Sequence, residues 1–372
     1  MTNQAVTIEL EKINCPLCDD AAGREIVQAV DNQWGVSGTF SVTECLRCRH
    51  RFMNPRPTVN SLGDCYPSNY GPHLLSPQSH QPDDLPEVDI TSTQPASSST
   101  PWYLRYLPLR YIPGLRSFYG WLIDERSQIV PKPFCASTAG DAATAQPQAL
   151  ELGCAAGEYL SRLKDAGWKV QGVEPGNGPV QIARSAGLSV HHGTLDDAPP
   201  AIESFDFVAS WMVIEHVPQP RITLTQMFQR LKPGGMLAMS VPNAGCWEPF
   251  VFGSNWDAWE LPRHLHHFTP RSIRQLLAEC GFTDIRITHQ RTLLNVFGSL
   301  GIAMTGRRPN SRLGQWFLRY PHSPTLAVQL AAAPMAQLLA FFRQGGRLTI
   351  TARRPDSPGA FSNSTTNQKE TT

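Results

Sequence analysis

Four cysteines near the start of the chain have the spacing of metal ligands. They form two Cys-x-x-Cys pairs, Cys15 with Cys18 and Cys45 with Cys48. Four thiolates match the tetrahedral coordination of zinc, and soft sulfur ligands disfavour magnesium and calcium. Because the protein would supply all four ligands, we expect a structural zinc ion with no open position for catalysis. A redox role is disfavoured, since there are two pairs and neither lies in a βαβ pattern.

A second constellation is a short strand that runs into a glycine-bearing turn and then a helix, Glu151-Leu-Gly-Cys-Ala-Ala-Gly157. In such a turn the backbone amides can approach a ligand closely at the helix N-terminus. A dinucleotide fingerprint would need glycine at 153, 155 and 158, but the chain has Gly153, Ala155 and Glu158. A nicotinamide oxidoreductase is therefore disfavoured, and we expect a nucleotide-like ligand without a pyrophosphate. Glu174 ends the next strand, where a carboxylate can bind ribose hydroxyls.

Short apolar runs alternate with helical patterns from residue 149 to about 354, which favours a parallel sheet covered by helices. The predicted helices cover Glu158–Ala166, residues 179–186 and Arg221–Leu231, with a fourth capped by Thr269 and ended by Gly281. The predicted strands are 149–152, 169–174, 188–192, 205–211, 236–241, 284–288 and 347–352. The segment 291–346 is too long for a hairpin, so we predict a helical insertion.

Five segments in this order resemble the motifs of class I S-adenosylmethionine-dependent methyltransferases. They are LELGCAAGEYL, GVEP, GTLDD, SFDFVASWMVIEHVPQP and LKPGGMLAMSVPN, and the resemblance covers residues 148–290 and 347–354. It implies an α/β, Rossmann-like, doubly wound and mostly parallel sheet with an antiparallel last strand. It also implies S-adenosyl-L-methionine as cofactor. The residues that the resemblance implies for binding this cofactor are Glu151, Gly153, Cys154, Ala155 and Gly157 at the turn, Glu174 at the ribose, Asp196 at the adenine edge, and Ser210 and Trp211 beside the methionine moiety.

The cysteine segment is similar to the N-terminal zinc ribbon that is fused to some small-molecule methyltransferases. In those proteins an Asn-Pro-Arg-Pro turn follows the second pair, as Asn54–Pro57 does here. The glycine that commonly follows each pair is replaced by Asp19 and Arg49. His50 is an alternative ligand, although we expect it at the surface.

The loop from Trp247 to Phe268 is the expected acceptor site, because loops at the carboxyl ends of parallel strands bind ligands. A histidine there could take a proton from an acceptor hydroxyl. We favour His264 as this base, with His216 and His267 as further candidates; a purely structural role stays open for each. In an extended stretch His264 and His266 would share one side and His267 would face the other. Trp256, Trp259 and Phe268 are expected to line an apolar pocket.

The composition limits the remaining alternatives. The 372 residues include 41% hydrophobic and 17% charged residues, with a formal net charge of +1, which disfavours a nucleic-acid partner. We therefore predict O- or C-methylation of a small-molecule acceptor. The alternative is a nucleic-acid-associated or scaffolding protein with a zinc ribbon and an idle catalytic domain. The oligomeric state stays unknown.

Composition also divides the chain. We predict a zinc-ribbon-like domain (1–70), a flexible linker (71–100), a helical cap and linker (101–147), a methyltransferase domain (148–355) with the insertion 291–346, and a disordered tail (356–372). No secretory signal precedes these segments, so we expect a soluble cytoplasmic protein. The cap and the insertion are apolar and flanked by arginine, which leaves a lipid-like acceptor or a peripheral membrane contact open.

Overall fold

The fold is built around a seven-stranded sheet in a computed structural model that describes residues 8–66, 129–136, 146–200 and 204–356. The predicted linker 71–100, most of the predicted cap 101–147 and nearly all of the predicted tail 356–372 lie outside the described residues. The strand order is β12-β13-β10-β9-β6-β7-β8. Its strands are β6 (Gln148–Leu152), β7 (Lys169–Glu174), β8 (Val190–His192), β9 (Phe205–Trp211), β10 (Leu231–Pro242), β12 (Thr283–His289) and β13 (Arg347–Arg353).

The first five strands of this sheet run parallel, while β13 pairs antiparallel with both β10 and β12. The predicted doubly wound sheet with an antiparallel last strand is confirmed. Chain order reverses on the two sides of β6, since β7 and β8 lie to one side and β9 and β10 to the other. In open α/β sheets this switch point is where a ligand cleft forms at the carboxyl ends of the strands.

The helices begin and end where the local chemistry requires. Thr269 caps its helix by accepting from the backbone N–H of Ser272, at 3.1 Å, and Pro270 occupies the first turn. Gly167, Gly187 and Gly281 follow the ends of three helices with positive φ, as a left-handed helix stop requires. The helices are α1 (Glu158–Asp165), α2 (Asn177–Ser185), α3 (Pro220–Arg230), α4 (Glu248–Phe252), α5 (Pro270–Glu279), α6 (Leu294–Arg307), α7 (Arg312–Arg319) and α8 (Leu326–Phe341).

One strand is longer than predicted. β10 extends over the Lys232–Gly235 turn, and its pairing with β9 shifts register between Leu231 and Met236. Pro233 cannot donate to a sheet hydrogen bond and Gly234 has φ 75°, so the turn forms a bulge within the strand.

The N-terminal segment forms a second sheet that includes a strand from the distant acceptor loop. Its order is β11-β4-β3-β2, where β2 is Gly23–Val30, β3 is Thr39–Cys45, β4 is Arg51–Met53 and β11 is His266–His267. A separate pair joins β1 (Leu10–Glu11) to β5 (Arg56–Pro57). His266 pairs with Phe52 and His267 with Arg51. Residues 8–66 therefore do not form a self-contained sheet.

The insertion 291–346 contains the helices α6, α7 and α8, as predicted. α6 packs tightly on the acceptor loop, where the Oγ of Ser299 accepts from the backbone N–H of Asp257 at 2.9 Å. Among the described residues no single helix is long and apolar enough to span a membrane. One bent pair, Arg312–His322 with Ala327–Phe341, meets the length and composition requirement when its two members are combined.

Candidate active site and cysteine cluster

The turn after β6 is shaped by two glycines that no other residue could replace without strain. Gly153 has φ 72° and Gly157 has φ 85°, both in the left-handed region that glycine tolerates. A Cβ on Gly153 would lie 2.3 Å from Val213 Cγ2, and one on Gly157 would lie 2.3 Å from Leu188 Cδ1. The turn therefore lies close against its neighbours and leads directly into α1.

Glu174 joins this turn to the loop after β7. Its Oε2 accepts from the backbone N–H of Ala155 at 2.9 Å, and its Oε1 accepts from the N–H of Gly176 at 2.8 Å. The residue is only 4% exposed. A carboxylate has about four lone-pair sites, so two remain for a ligand. Ala155 has φ 44°, and its amide is turned toward Glu174 by this left-handed conformation.

Two buried polar side chains at the switch point lack hydrogen-bond partners among the described residues. They are Glu151, at Oε2, and Ser210, at Oγ. They lie on adjacent strands, because Glu151 is opposite Ala209 and Leu152 is opposite Ser210. Burial and the charge of Glu174 raise the pKa of Glu151 well above its ordinary range. Burying polar groups without partners costs free energy, and a ligand that brings a positive charge and hydrogen bonds would compensate that cost.

The other predicted cofactor residues are distributed around this point. Trp211 ends β9, is buried, and packs edge-to-face on Tyr159 at 5.2 Å between ring centroids. The thiol of Cys154 is buried beside Gly172 and Leu160, and burial raises its pKa. Asp196 is exposed, and its Oδ1 accepts from Gln226 Nε2 of α3 at 2.6 Å.

The four cysteines of the two pairs converge on one point. Their sulfur atoms all lie within 4.8 Å of one another, and the pairs Cys15–Cys48 and Cys18–Cys45 are 3.5 Å apart. Tetrahedral zinc with Zn–S bonds of about 2.3 Å would place its sulfur ligands about 3.8 Å apart. The donor set therefore fits a zinc ion. Asp19 and Arg49, which stand where glycine is common, adopt left-handed φ values of 58° and 63°, so both turns form without glycine.

His50 is neither at the surface nor in this cluster, so the prediction of a surface residue is wrong. It is completely buried, and its Nε2 lies 3.3 Å from Nδ1 of His266. Phe268 packs on the same side, with its ring 5.2 Å from that of His50. The strand β11 brings these side chains together, because it pairs with β4 one residue beyond His50.

The three histidines predicted as catalytic candidates lie close together. The rings of His216 and His264 are 4.5 Å apart, and those of His264 and His267 are 6.4 Å apart. Burial lowers the pKa of all three, that of His216 to about 3. Each imidazole is therefore neutral at pH 7 and can accept a proton or bind a cation only if a ligand or a neighbouring charge compensates the burial.

The predicted sidedness of the histidines is wrong. His264 faces His216 and His267, whereas His266 faces His50. The reason is that the chain is not extended from 264 onward, since the N–H groups of Leu265 and His266 both donate to the carbonyl of Glu215, at 2.8 and 3.0 Å. Regular alternation begins only with the two-residue strand β11.

Trp256, Trp259 and Phe268 do not line one common apolar pocket, contrary to the prediction. The two tryptophans pack against each other and against Phe40 and Val42 of β3, while Phe268 belongs to the core under the central sheet. Trp259 instead contacts His267, with ring centroids 4.7 Å apart. The tryptophans thus form the rear wall of the histidine group.

Three residues of this site were missed by sequence reasoning. Glu215 has both carboxylate oxygens buried and without hydrogen-bond partners in the described ranges of the chain, and burial raises its pKa to about 8. Glu260 lies 3.3 Å from His264 Nε2, and the hydroxyl of Tyr66 lies 3.0 Å from His216 Nδ1. Glu215 directly precedes His216, which was a usable signal; Tyr66 is distant in sequence and gave none.

Comparison with known proteins places these features in context. A family model described as "Methyltransferase domain" matches residues 125–287. A Mycolicibacterium smegmatis protein named "Probable S-adenosylmethionine-dependent methyltransferase" is 28% identical over 53% of this chain and 71% of its own length. The "Ubiquinone biosynthesis O-methyltransferase" of Ruegeria sp. is 30% identical over 39% of this chain and 64% of its own length, so the chain matches less than two thirds of that relative.

Solved structures of methyltransferases were also matched. One from Mesorhizobium loti, an S-adenosylmethionine-dependent methyltransferase, is 17% identical with a TM-score of 0.40, over 63% of this chain and 98% of that one. The strand order, the glycine turn and the family match agree with one another. Residues 125–287 therefore match a methyltransferase domain, and the chain is similar to S-adenosylmethionine-dependent methyltransferases.

Proposed function

We propose that the chain transfers the methyl group of S-adenosylmethionine to a hydroxyl oxygen of a small-molecule acceptor. The observation that carries the proposal is a group of neutral histidines just beyond the carboxyl end of β9, the buried His264 and His267 and the partly buried His216. A neutral imidazole is needed when the acceptor must lose a proton. The name of the relatives, ubiquinone biosynthesis O-methyltransferase, supports oxygen as the methylated atom.

The cofactor would be held at the switch point of the sheet. Glu174 has two lone-pair positions left for the ribose hydroxyls, and Gly153 and Gly157 allow the backbone to approach the ligand. The ammonium group of the cofactor would supply the positive charge that the buried Glu151 lacks. Asp196 would lie at the adenine edge. Ser210 and Trp211 would lie beside the methionine moiety, with Cys154 and Ala155 shaping the turn.

In the transfer step the acceptor oxygen attacks the methyl carbon. Bound S-adenosylmethionine would supply the methyl group, so a C–O bond would form as the C–S bond of the sulfonium broke. His264 is the proposed proton acceptor, because its Nδ1 lies 2.9 Å from the carbonyl of Ala258. Nδ1 must therefore carry the hydrogen, and Nε2 keeps its lone pair. An acidic C–H would need the same help, so carbon methylation is the alternative outcome.

The four cysteines Cys15, Cys18, Cys45 and Cys48 would hold a structural zinc ion. The sulfur spacing described above supports this assignment. The cluster lies against the central core, since Leu17 packs with it and its carbonyl accepts from Arg221 of α3 at 2.6 Å. The ion would thus position the N-terminal sheet on the catalytic domain without taking part in the reaction.

The test is methyl transfer from isotopically labelled S-adenosylmethionine to a panel of hydroxylated small molecules. We expect label in an O-methyl product, and we expect His264→Gln to reduce turnover by about 10²–10⁴-fold while the cofactor affinity is kept. Label on carbon would identify the alternative acceptor. Full turnover of His264→Gln at pH 7 would show that this histidine is not the base.

A further inference from the structure

Three side chains of the acceptor site form an arrangement of metal-binding donors separate from the cysteines. A carboxylate oxygen of Glu215 and one ring nitrogen each of His216 and His264 all lie within 4.8 Å of one another. These three residues are called the Glu-His-His cluster below. A tetrahedral zinc site with bonds of about 2.0–2.1 Å would place such donors about 3.4 Å apart. Small side-chain rotations would therefore suffice to close the cluster around an ion.

Glu215 is the member that most clearly lacks a counterpart. Its side chain is completely buried, and neither of its carboxylate oxygens has a hydrogen-bond partner in the part of the chain that the structure describes. The residue is fixed by its backbone, whose carbonyl accepts from the N–H groups of Leu265 and His266. A buried carboxyl group without partners needs a cation or a proton.

The two histidines are oriented as metal ligands are. Nδ1 of His264 lies 2.9 Å from the carbonyl of Ala258, and Nδ1 of His216 lies 3.0 Å from the hydroxyl of Tyr66. Metal-bound histidines typically use the second ring nitrogen for such a bond, which fixes the ring and leaves the other nitrogen for the ion. His264 thus has an outer partner in place, whereas the ring of His216 also bonds to the backbone of Arg263 and would have to give up that bond to take the ion.

The contacts of His264 also favour a bound cation. Its Nε2 lies 3.3 Å from Oε2 of Glu260. With the hydrogen on Nδ1, a lone pair of nitrogen faces a carboxylate oxygen, and this arrangement is repulsive unless a cation or proton lies between them. A divalent ion held by Glu215 and the imidazole would relieve this repulsion, while Glu260 keeps its ion pair with Nε of Arg263 at 3.3 Å.

We propose that Glu215, His216 and His264 bind a divalent transition-metal ion whose open positions take the acceptor oxygen. Two imidazoles and one carboxylate suit zinc and its neighbours in the first row, and do not suit magnesium or calcium. Three protein ligands leave an open position, which the cysteine cluster does not have. The role of the ion toward the acceptor rests on the proposed function, whereas metal binding itself does not.

The proposal changes how the acceptor loses its proton. An oxygen bound to a divalent ion has a much lower pKa, so the hydroxyl is delivered as the anion. Its proton would pass to Glu260, whose side chain is 21% exposed and can release it to water. His264 would then be a ligand in place of a base, and the C–O and C–S bonds would change as before.

The test titrates Co²⁺ into the full-length chain without acceptor, after one equivalent of zinc has been added to fill only the four-thiolate site and unbound zinc has been removed by dialysis. We expect one further Co²⁺ per chain, with the absorption of nitrogen and oxygen ligands and without the thiolate charge-transfer band that Co²⁺ at the cysteines would show. Glu215→Gln should weaken this binding by at least about tenfold. Glu248→Gln is the matched control, since Glu248 is another completely buried glutamate, and it should bind Co²⁺ like the wild type.

Two results would overturn the proposal: no Co²⁺ bound outside the cysteines, or equal Co²⁺ affinity in Glu215→Gln and wild type. Methyl transfer is measured separately on the same preparations. Metal binding without transfer to any hydroxyl would leave the metal site standing and reject the proposed function. Methyl transfer to a hydroxyl by a protein that binds no such ion would reject the metal site and leave the proposed function standing.

Discussion

Replacing Glu174 by alanine should weaken S-adenosylmethionine binding by roughly 10- to 150-fold. The carboxylate already accepts from the N–H groups of Ala155 and Gly176, at 2.9 and 2.8 Å, and these bonds aim its remaining lone pairs into the cleft. A hydrogen bond to a charged group contributes about 1.5–3 kcal/mol. Loss of one such ribose contact corresponds to the stated range of affinity.

The same substitution also removes the two backbone contacts, so the unliganded protein should melt at a lower temperature. Affinity is therefore measured by calorimetry well below the melting midpoint of each variant. Glu158→Gln is the matched control, because Glu158 is exposed at the start of α1 and the change removes the same charge. An unchanged affinity in Glu174→Ala, or an equal loss in Glu158→Gln, would refute the ribose assignment.

Three further outcomes are expected. Cys45→Ser should weaken the thiolate charge-transfer band of cobalt-substituted protein and lower the melting midpoint; an unchanged band and an unchanged midpoint would contradict the cysteine site. Ala155→Gly should raise the free energy of unfolding by about 0.5–1 kcal/mol in urea titrations, because alanine at φ 44° is strained; a loss of stability would contradict this. Burial raises the pKa of Glu248 above its ordinary value of 4.5, so its stabilising contribution is full below pH 4.5 and is lost as the pH rises through the folded value. Glu248→Gln keeps an acceptor for Trp256 Nε1. The melting midpoint of this variant should therefore rise relative to that of the wild type as the pH increases from 4.5 to 7. A difference that stays constant over this range would show that the pKa of Glu248 is not raised.

Local patterns predicted the central sheet well. The bounds of β7 and β9 agree with the predicted strands to the residue, because each is a short segment with apolar residues that is bounded by turn-forming or polar positions. The cap of α5 by Thr269 was equally predictable, since the capping bond links residues three apart. The convergence of the four cysteines followed from their spacing.

The acceptor site was predictable only in part. The candidate histidines do lie together, but their orientation depends on the carbonyl of Glu215 and on a strand pairing with residues more than two hundred positions earlier. Neither contact leaves a periodic signal in the sequence. The Glu215 carboxylate has no hydrogen-bond partner among the described residues, and this too depends on how distant segments pack around it. The local sequence does not encode that packing.

The strand shared between the two sheets has a consequence for synthesis on the ribosome. β4 has β3 on one side from the beginning, but its other edge stays open until His266 and His267 emerge, roughly 200 residues later. At ordinary rates of translation this interval lasts about 10–40 s. An open strand edge is a template for pairing with other chains. The nascent N-terminal segment must therefore pass this interval with its four cysteines complete and its last strand missing, which makes β4 an edge at which a slowed or truncated chain would aggregate.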